Sequence, residues 1–318
     1  MIAITDECTH SEYARSGKNR NGGQRYKCKN CLATWSDPPP QRPLGTMRIG
    51  MDTAEFALRL LVEGNSVRSV ERLIGIHRDT ICDLILVAGE RCQSFHDSMV
   101  VDVPVDALEL DEIWSFSGAK QKTVESRGLN PEFGDQWLFT CIERERKMIM
   151  AWHMGARDND DTDVFLGKVR TAVDMLQQFQ VSTDGLSTYT NGVPLAFGRS
   201  CTFAQLVKKY KSTQEQTRYS PAVITSATKK VRMGNPDYDK ISTSFVERMN
   251  LNIRMFNRRF TRLTNAFSKS VVHHEAMIAI VLTHYNWRWK HSTIGMTPAM
   301  ACGLAERPLS FREILEAV

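Results

Sequence analysis

The sequence lacks a long hydrophobic run. No window approaches 18 uninterrupted apolar residues, and the most apolar stretch, MIAIVLTHYNWRW, is broken by His284. This excludes a transmembrane helix of ordinary length. The opening residues MIAITDECTH also lack the charged and then apolar pattern of a secretory leader, and eight cysteines in 318 residues do not fit a secreted disulfide scaffold. We therefore expect a cytoplasmic protein in a reducing compartment.

Acidic residues are almost absent from two segments. Residues 15–29 carry six Lys or Arg and no acid, and residues 248–290 carry eight against one, Glu275. The net charge of the whole chain is only +5, so the distribution of charge says more than the total. Clustered basic residues suit a polyphosphate backbone; the alternative is a solvated surface. The sequence shows no internal repeat and no low-complexity tract.

Length and proline content predict several domains. A chain of 318 residues that is 42% hydrophobic can bury a full core and exceeds the usual size of one domain. Three consecutive prolines at residues 38–40, followed by Pro43, predict an extended linker. We predict a basic arm with this linker over residues 1–43, a helical domain over 44–98, a large domain over 103–304 and a tail over 305–318.

The hydrophobic period changes along the chain. Residues 52–96 have helical spacing, with Gly64 and Gly75 as stops. Strand-like segments follow: VPVDALELDEIWSF, a hairpin of QWLFTCIERER and KMIMAWHMG, FQVSTDG and RSCTFAQLVKKY, with a helix over DTDVFLGKVRTAVDMLQQF. From Ser244 the chain is predicted to be helical almost to Tyr285. This order predicts an α/β fold with a mixed sheet.

Three acids occupy positions that suit metal binding. Asp111 lies inside an apolar strand, where an unpartnered charge is costly; Asp184 ends a strand; and Glu247 opens a basic helix. Two Asp and a Glu that converge form a hard oxygen site for Mg²⁺ or Mn²⁺, and two such ions about 4 Å apart support phosphodiester chemistry. Each acid also has a structural explanation, such as a capped turn or a favourable helix dipole. Glu112 is the rival to Asp111, and strand alternation places the two on opposite faces.

Basic residues follow Glu247 on the same predicted helix. Arg254 lies two helical turns on and projects from the same face, which suits a contact to DNA near a scissile phosphate or, alternatively, solvent. Arg258, Arg259 and Arg262 continue this basic surface, and we predict that they bind DNA.

The stretch SVRSVERLIGIHRDTICDLI predicts a helix-turn-helix. The turn contains Gly75, and the packing residues are expected to be Val67, Val70, Leu73, Ile76 and Ile81. Arg78, Asp79 and Thr80 would begin the second helix, where base edges are usually read. Any helical hairpin can show this pattern.

The N-terminal cysteines have zinc-ribbon character. YKCKNCLATWSD places Cys28 and Cys31 in a C-x2-C knuckle, but only Cys8 and His10 precede it, with a C-x-H spacing shorter than usual. The sequence allows two alternatives for this segment. One is a metal-free basic arm, and the other is a zinc site formed by Cys8, His10, Cys28 and Cys31.

Four blocks carry a family resemblance. ELDEIWSF, TDGLSTYTNGV, TSFVERMNLNIRMFNRRFTRLTNAFSKS and HYNWRWKHSTIGMTPAMACGL resemble successive blocks of bacterial DDE transposases of the insertion-sequence-one type, over roughly residues 103–304. The resemblance implies a ribonuclease-H-like catalytic domain, with Asp111, Asp184 and Glu247 as ligands of two Mg²⁺ or Mn²⁺ ions and Arg254 as the basic residue after the catalytic Glu. His291 matches a recurrent His, for which a structural hydrogen bond is the alternative. Related transposases carry two complete zinc knuckles, which this sequence does not.

The resemblance also implies a function and partners. The protein would bind the ends of an insertion sequence, cut the DNA and join it to a target, acting at the bacterial nucleoid. Its partner would be double-stranded DNA, and two ends handled together require at least a dimer. A DNA-binding regulator that has lost catalysis and a nuclease of the same fold are the alternatives.

Overall fold

The computed structural model describes residues 8–20, 23–37, 43–210, 224–261 and 264–318. It divides into two compact units, Met1–Thr46 and Met47–Val318. The predicted helical domain, apart from residues 44–46, and the predicted large domain therefore lie in one unit. Arg262, which we predicted to bind DNA, is outside the described residues.

The first unit is a small antiparallel sheet. Its strands β1 (Tyr13–Lys18), β2 (Gln24–Cys28) and β3 (Thr34–Ser36) pair in the order β1-β2-β3. The rings of Tyr13, Tyr26 and Trp35 pack together, with centroids 5.3 to 5.8 Å apart. Within the described part of this unit, the only buried apolar residues are Cys28 and Leu44. Hydrophobic burial alone is therefore a weak source of stability here.

Three helices open the second unit: α1 (Met51–Val62), α2 (Val67–Ile74) and α3 (Arg78–Met99). The Ser66 hydroxyl caps α2 by accepting the N–H of Ser69, and Gly75, at φ +70°, ends that helix in the left-handed conformation. Val70 and Ile81 are fully buried between the helices as predicted, whereas Leu73 is 62% exposed and does not pack the pair. The predicted helix, turn and helix are confirmed.

A six-stranded mixed sheet forms the centre of the second unit. Its strands are β4 (Ala107–Ser117), β5 (Gly134–Glu143), β6 (Ile149–Gly155), β7 (Phe179–Thr183), β8 (Cys201–Tyr210) and β9 (Ile224–Met233). The order is β6-β5-β4-β7-β8-β9; β4, β7 and β8 are parallel, and the other pairs are antiparallel. The helices between them are α4 (Gln121–Arg127), α5 (Asn159–Ala172) and α6 (Thr188–Phe197). The protein is thus mixed α/β, and the predicted β5–β6 hairpin is confirmed.

The last part of the chain is helical: α7 (Ser244–Phe256), α8 (Val271–Trp287), α9 (Pro298–Ala301) and α10 (Phe311–Glu316). The prediction of nearly continuous helix from Ser244 to Tyr285 is wrong. Helix α7 stops at Phe256, the Asn257 side chain accepts the N–H of Arg259 to start a 3-10 turn, and α8 begins only after its cap, Ser270. Asn257 competes for the backbone, which favours a new turn over continued helix.

The core surrounds α8, and residues beyond 304 join it. Phe311, Ile314 and Leu315 of α10 are fully buried, so the predicted tail ends in a packed helix. The amide of Asn286 bonds both the N–H and the C=O of Ile149 on the edge strand β6, at 3.0 and 2.8 Å. These bonds cover an edge that would otherwise be open to pairing. No helix in the described ranges is long and apolar enough to cross a membrane.

Candidate metal centres

Two predicted acids meet at the centre of the sheet. Strands β4 and β7 are parallel neighbours, and their register pairs Leu110 with Thr183. Asp111 and Asp184, each one residue further on, are therefore neighbours although they are far apart in the chain. One oxygen from each of Asp111, Glu112 and Asp184 lies within 4.8 Å of the others. The spacing suits a hard divalent cation such as Mg²⁺.

The electrostatics of this carboxylate cluster favour a cation. Desolvation and then the neighbouring charge of Asp184 raise the pKa of Asp111 to about 7. The same two causes, in the same order, raise the pKa of Glu112 to about 8. Burial and the neighbouring negative charge thus disfavour the ionised forms of Asp111 and Glu112, which a bound divalent ion would stabilise.

Two cations that the sequence did not point to contact the acids. Arg157 donates to Glu112 Oε2 from Nε and Nη2, at 3.2 and 3.1 Å, and its Nη2 lies 3.7 Å from Asp184 Oδ2. The Arg157 guanidinium also covers the ring of Trp137 at 4.6 Å. Lys208, on β8, pairs with the carboxylate of Glu247. Both cations are far in sequence from the acids they contact, so no local sequence pattern predicts either one.

Helix α7 is anchored to the face of β4 that carries Asp111. Glu109, fully buried, accepts the backbone N–H groups of Phe245 and Val246 at 2.8 and 3.0 Å, while the Thr243 side chain makes no cap. Asn250 Nδ2 donates to Asp111 Oδ2 at 2.7 Å. Two residues apart on a strand, Glu109 and Asp111 share one face. Glu109 therefore caps α7, and Asp111, the next residue on the same face of β4, binds the Asn250 side chain of that helix.

Glu247 lies beside the carboxylate cluster rather than within it. It stands in the first turn of α7, one turn before Asn250, and its Oε1 accepts the hydroxyl of Thr243 at 2.7 Å. Its charge is close enough to contribute to the raised pKa of Asp111. The third acid within 4.8 Å is instead Glu112, which the alternation argument had put on the opposite face of β4. Asp184, at the strand end, is near both Asp111 and Glu112.

The other predicted residues occupy different places. Arg254 lies in the last turn of α7, and Arg258 and Arg259 lie in the 3-10 turn that follows. His291 Nδ1 accepts the N–H of Thr293 at 3.3 Å, which is the structural hydrogen bond considered as its alternative. The residues that begin α3 are Arg78 and Asp79, both exposed, and Thr80, half-buried.

The four predicted zinc ligands come together in the first unit. One ligand atom from each of Cys8, His10, Cys28 and Cys31 lies within 4.8 Å of the others. The Sγ atoms of Cys8 and Cys28 are 3.7 Å apart, and Cys31 Sγ is 3.3 Å from His10 Nδ1. A tetrahedral zinc with bonds of about 2.3 Å spaces two sulfurs by about 3.8 Å. These residues could therefore bind zinc.

His10 and Cys28 have unusual local properties within this group. His10 has φ +53°, in the left-handed region that non-glycine residues rarely adopt. The backbone N–H of Cys31 and then the His10 ring lower the pKa of the Cys28 thiol to about 6. A thiolate is the form that binds metal. The four side chains thus come together despite the short C-x-H spacing, and the Cys28 thiol favours the metal-binding form.

No protein-family model matches the chain, and no curated protein matches it.

We predict that Glu109 positions α7. Glu109→Ala should lower the free energy of unfolding by about 1–3 kcal/mol, because two N–H groups lose their acceptor inside the protein. Glu109→Gln keeps an acceptor oxygen and should lose less. Urea unfolding of both variants measures the difference. Equal losses for Ala and Gln would mean that the carboxylate charge, not the cap, stabilises the helix.

Proposed function

We propose that this protein is a transposase that binds the ends of a bacterial insertion sequence and catalyses metal-dependent DNA cleavage and strand transfer. The observation that carries the proposal is the meeting of Asp111 and Asp184 from two adjacent parallel strands, with α7 and its Glu247 anchored to the same strand face. Acids from three distant positions approach one point, next to a helix whose other charges are basic.

The residues have distinct roles in the proposed reaction. Asp111, Asp184 and Glu247 would hold two Mg²⁺ or Mn²⁺ ions, and Asn250 orients Asp111. When bound, such ions activate a water and stabilise a leaving oxygen. In the first step the water oxygen bonds to phosphorus and the 3′ oxygen of the element end leaves. In the second, that 3′-hydroxyl attacks a target phosphodiester, whose own 3′ oxygen leaves, with no covalent link to protein.

Several further features support the proposal. The sheet combines a three-stranded antiparallel half, β6-β5-β4, with two parallel strands, β7 and β8, as a ribonuclease-H-like core requires. The helix-turn-helix of α2 and α3 and the zinc-binding arm would recognise double-stranded DNA. Two element ends require at least a dimer on DNA, acting in the bacterial cytoplasm at the nucleoid.

The test is strand cleavage and joining on labelled DNA carrying the flanking element's ends, with Mg²⁺. We expect the wild type to cut and to join a supplied 3′-hydroxyl end, and Asp111→Asn and Asp184→Asn to lose both steps while still binding DNA. Cleavage without joining would identify a nuclease instead. Specific binding without cleavage would identify a regulator that has lost catalysis.

A further inference from the structure

A basic cavity of about 620 Å³ lies away from the carboxylates, between the α1–α2 connection, the first turns of α3 and the segment before α8. We call it the basic pocket. Its lining includes Arg68, Arg258, Arg259, Lys269 and His273, together with hydroxyl and amide groups such as Ser66 and Asn265, and no Asp or Glu. A cavity with four permanent positive charges and several neutral donors is built for an anion.

The charges of the basic pocket are not neutralised by the protein. Among the described residues, no carboxylate lies within 4.0 Å of the charged groups of Arg68, Arg258, Arg259 or Lys269. Desolvation lowers the pKa of Arg259, so this guanidinium has lost water without gaining an acid. Burial and then the charge of Arg259 lower the pKa of the neighbouring His273, and the charge of Asp83 on α3 offsets this shift only in part.

The N-terminus of α8 adds to this field. The helix is 17 residues long, and its cap, Ser270, lines the basic pocket beside His273. The positive end of a helix dipole favours a negative ligand within its first turn. Here it acts together with the guanidinium of Arg259.

The basic pocket is tied to the strand that carries Asp111. The segment before α8 is hooked to the end of β4, where the N–H of Gly118 donates to the C=O of Ser268 at 2.8 Å. Ser117 lies six residues after Asp111 on this strand, which corresponds to about 20 Å. That distance is about six base pairs of B-DNA. One duplex can therefore reach both places.

We propose that the basic pocket binds a phosphate of the DNA backbone and so fixes a duplex between the helix-turn-helix and the carboxylate cluster. The inference rests on the proposed function only in that the ligand is DNA. Arg259 would donate a charged hydrogen bond from its guanidinium, with Lys269 and Arg68 beside it. The contact carries no base sequence information, because phosphates are the same at every position.

The test measures the binding of the full chain to a generic duplex of about 30 base pairs as a function of salt. Each lost phosphate contact should reduce the slope of log K against log salt by about 0.9. We expect Arg259→Gln to show this reduction and about tenfold weaker binding at moderate salt, and Arg259→Lys to keep the slope. The matched control is Arg199→Gln, an exposed arginine just before β8, at the edge of the sheet opposite to Asp184.

Thermal unfolding without DNA distinguishes binding from a structural role. Because Arg259 pairs with none of the carboxylates in the described ranges, Arg259→Gln should unfold at the same or a higher temperature than the wild type. A lower unfolding temperature with an unchanged salt slope would show a structural residue and overturn the proposal. Equal effects of Arg259→Gln and Arg199→Gln would show that only total charge matters, and would also overturn it.

A free anion is the other source of the same chemistry. Stabilisation of the wild type, but not of Arg259→Gln, by inorganic phosphate at constant ionic strength, with unchanged DNA slopes, would assign the pocket to a small phosphate and overturn the DNA contact. Failure of the wild type to bind any duplex would overturn the proposed function itself. Duplex binding with an unchanged slope in Arg259→Gln would overturn only the basic pocket.

Discussion

Removal of zinc is expected to unfold Met1–Thr46 and to leave Met47–Val318 folded. The described part of the first unit buries only two apolar residues, Cys28 and Leu44, and domains of this size usually need a metal or disulfides. Apparent binding energies of structural zinc are about 10–16 kcal/mol. If this binding energy is divided over four ligands, the removal of one ligand costs about 3 kcal/mol. This corresponds to at least a hundredfold loss of zinc affinity.

The measurement combines zinc content with protection from proteolysis. The wild type should hold one zinc per chain, and strong chelation should make residues 8–37 sensitive to protease. Cys28→Ser should be sensitive from the start, whereas Cys302→Ser, a cysteine of the second unit, should behave as the wild type. A metal-free first unit that resists protease would show that the packing of Tyr13, Tyr26 and Trp35 is sufficient and that the arm needs no metal.

Glu247→Gln is expected to abolish DNA cleavage, with a loss of about a thousandfold or more, because several kcal/mol of metal-derived stabilisation depend on each ligand. The Glu247 carboxylate pairs with Lys208 and would be a ligand of the ion in the proposed site. The Glu112 side chain is 1% exposed and already holds Arg157. Glu112→Gln should therefore cost only about tenfold, through a misplaced Arg157.

Cleavage rates and Mg²⁺-induced thermal stabilisation, measured on both variants, decide between the two acids. Glu145→Gln is the matched control, because Glu145 is 62% exposed in the β5–β6 turn, at the Ala107 end of β4, and is not a member of the carboxylate cluster. Loss of activity and of the Mg²⁺ effect in Glu112→Gln, with both retained in Glu247→Gln, would make Glu112 the third ligand. The metal would then sit wholly within the carboxylate cluster.

Local patterns predicted most of the elements. The alternation around Asp111, the strand-like segment before Asp184 and the Gly75 stop correspond to β4, β7 and the end of α2. Helix α4, inside residues 117–135, was not predicted, because its one buried residue, Val124, leaves almost no apolar period. The end of helix α7 at Phe256 was not predicted, because the spacing of hydrophobic residues does not show where a polar side chain such as Asn257 binds the backbone.

Contacts between residues that are distant in sequence were determined by the pairing of strands and the packing of helices, and no local pattern predicted them. The sequence by itself determined that Asp111 and Asp184 stand in or directly after strands and that Glu247 opens a helix, and it identified Cys8, His10, Cys28 and Cys31 as candidate zinc ligands, with a metal-free arm as the alternative. Only the tertiary structure decided that Glu112 joins the two aspartates, that Glu109 caps α7, that Arg157 and Lys208 pair with the acids and that none of the described carboxylates pairs with Arg259. The physical reason is that burial and Coulomb interactions depend on distance in space, and neighbours across a sheet or between packed helices have no fixed separation along the chain.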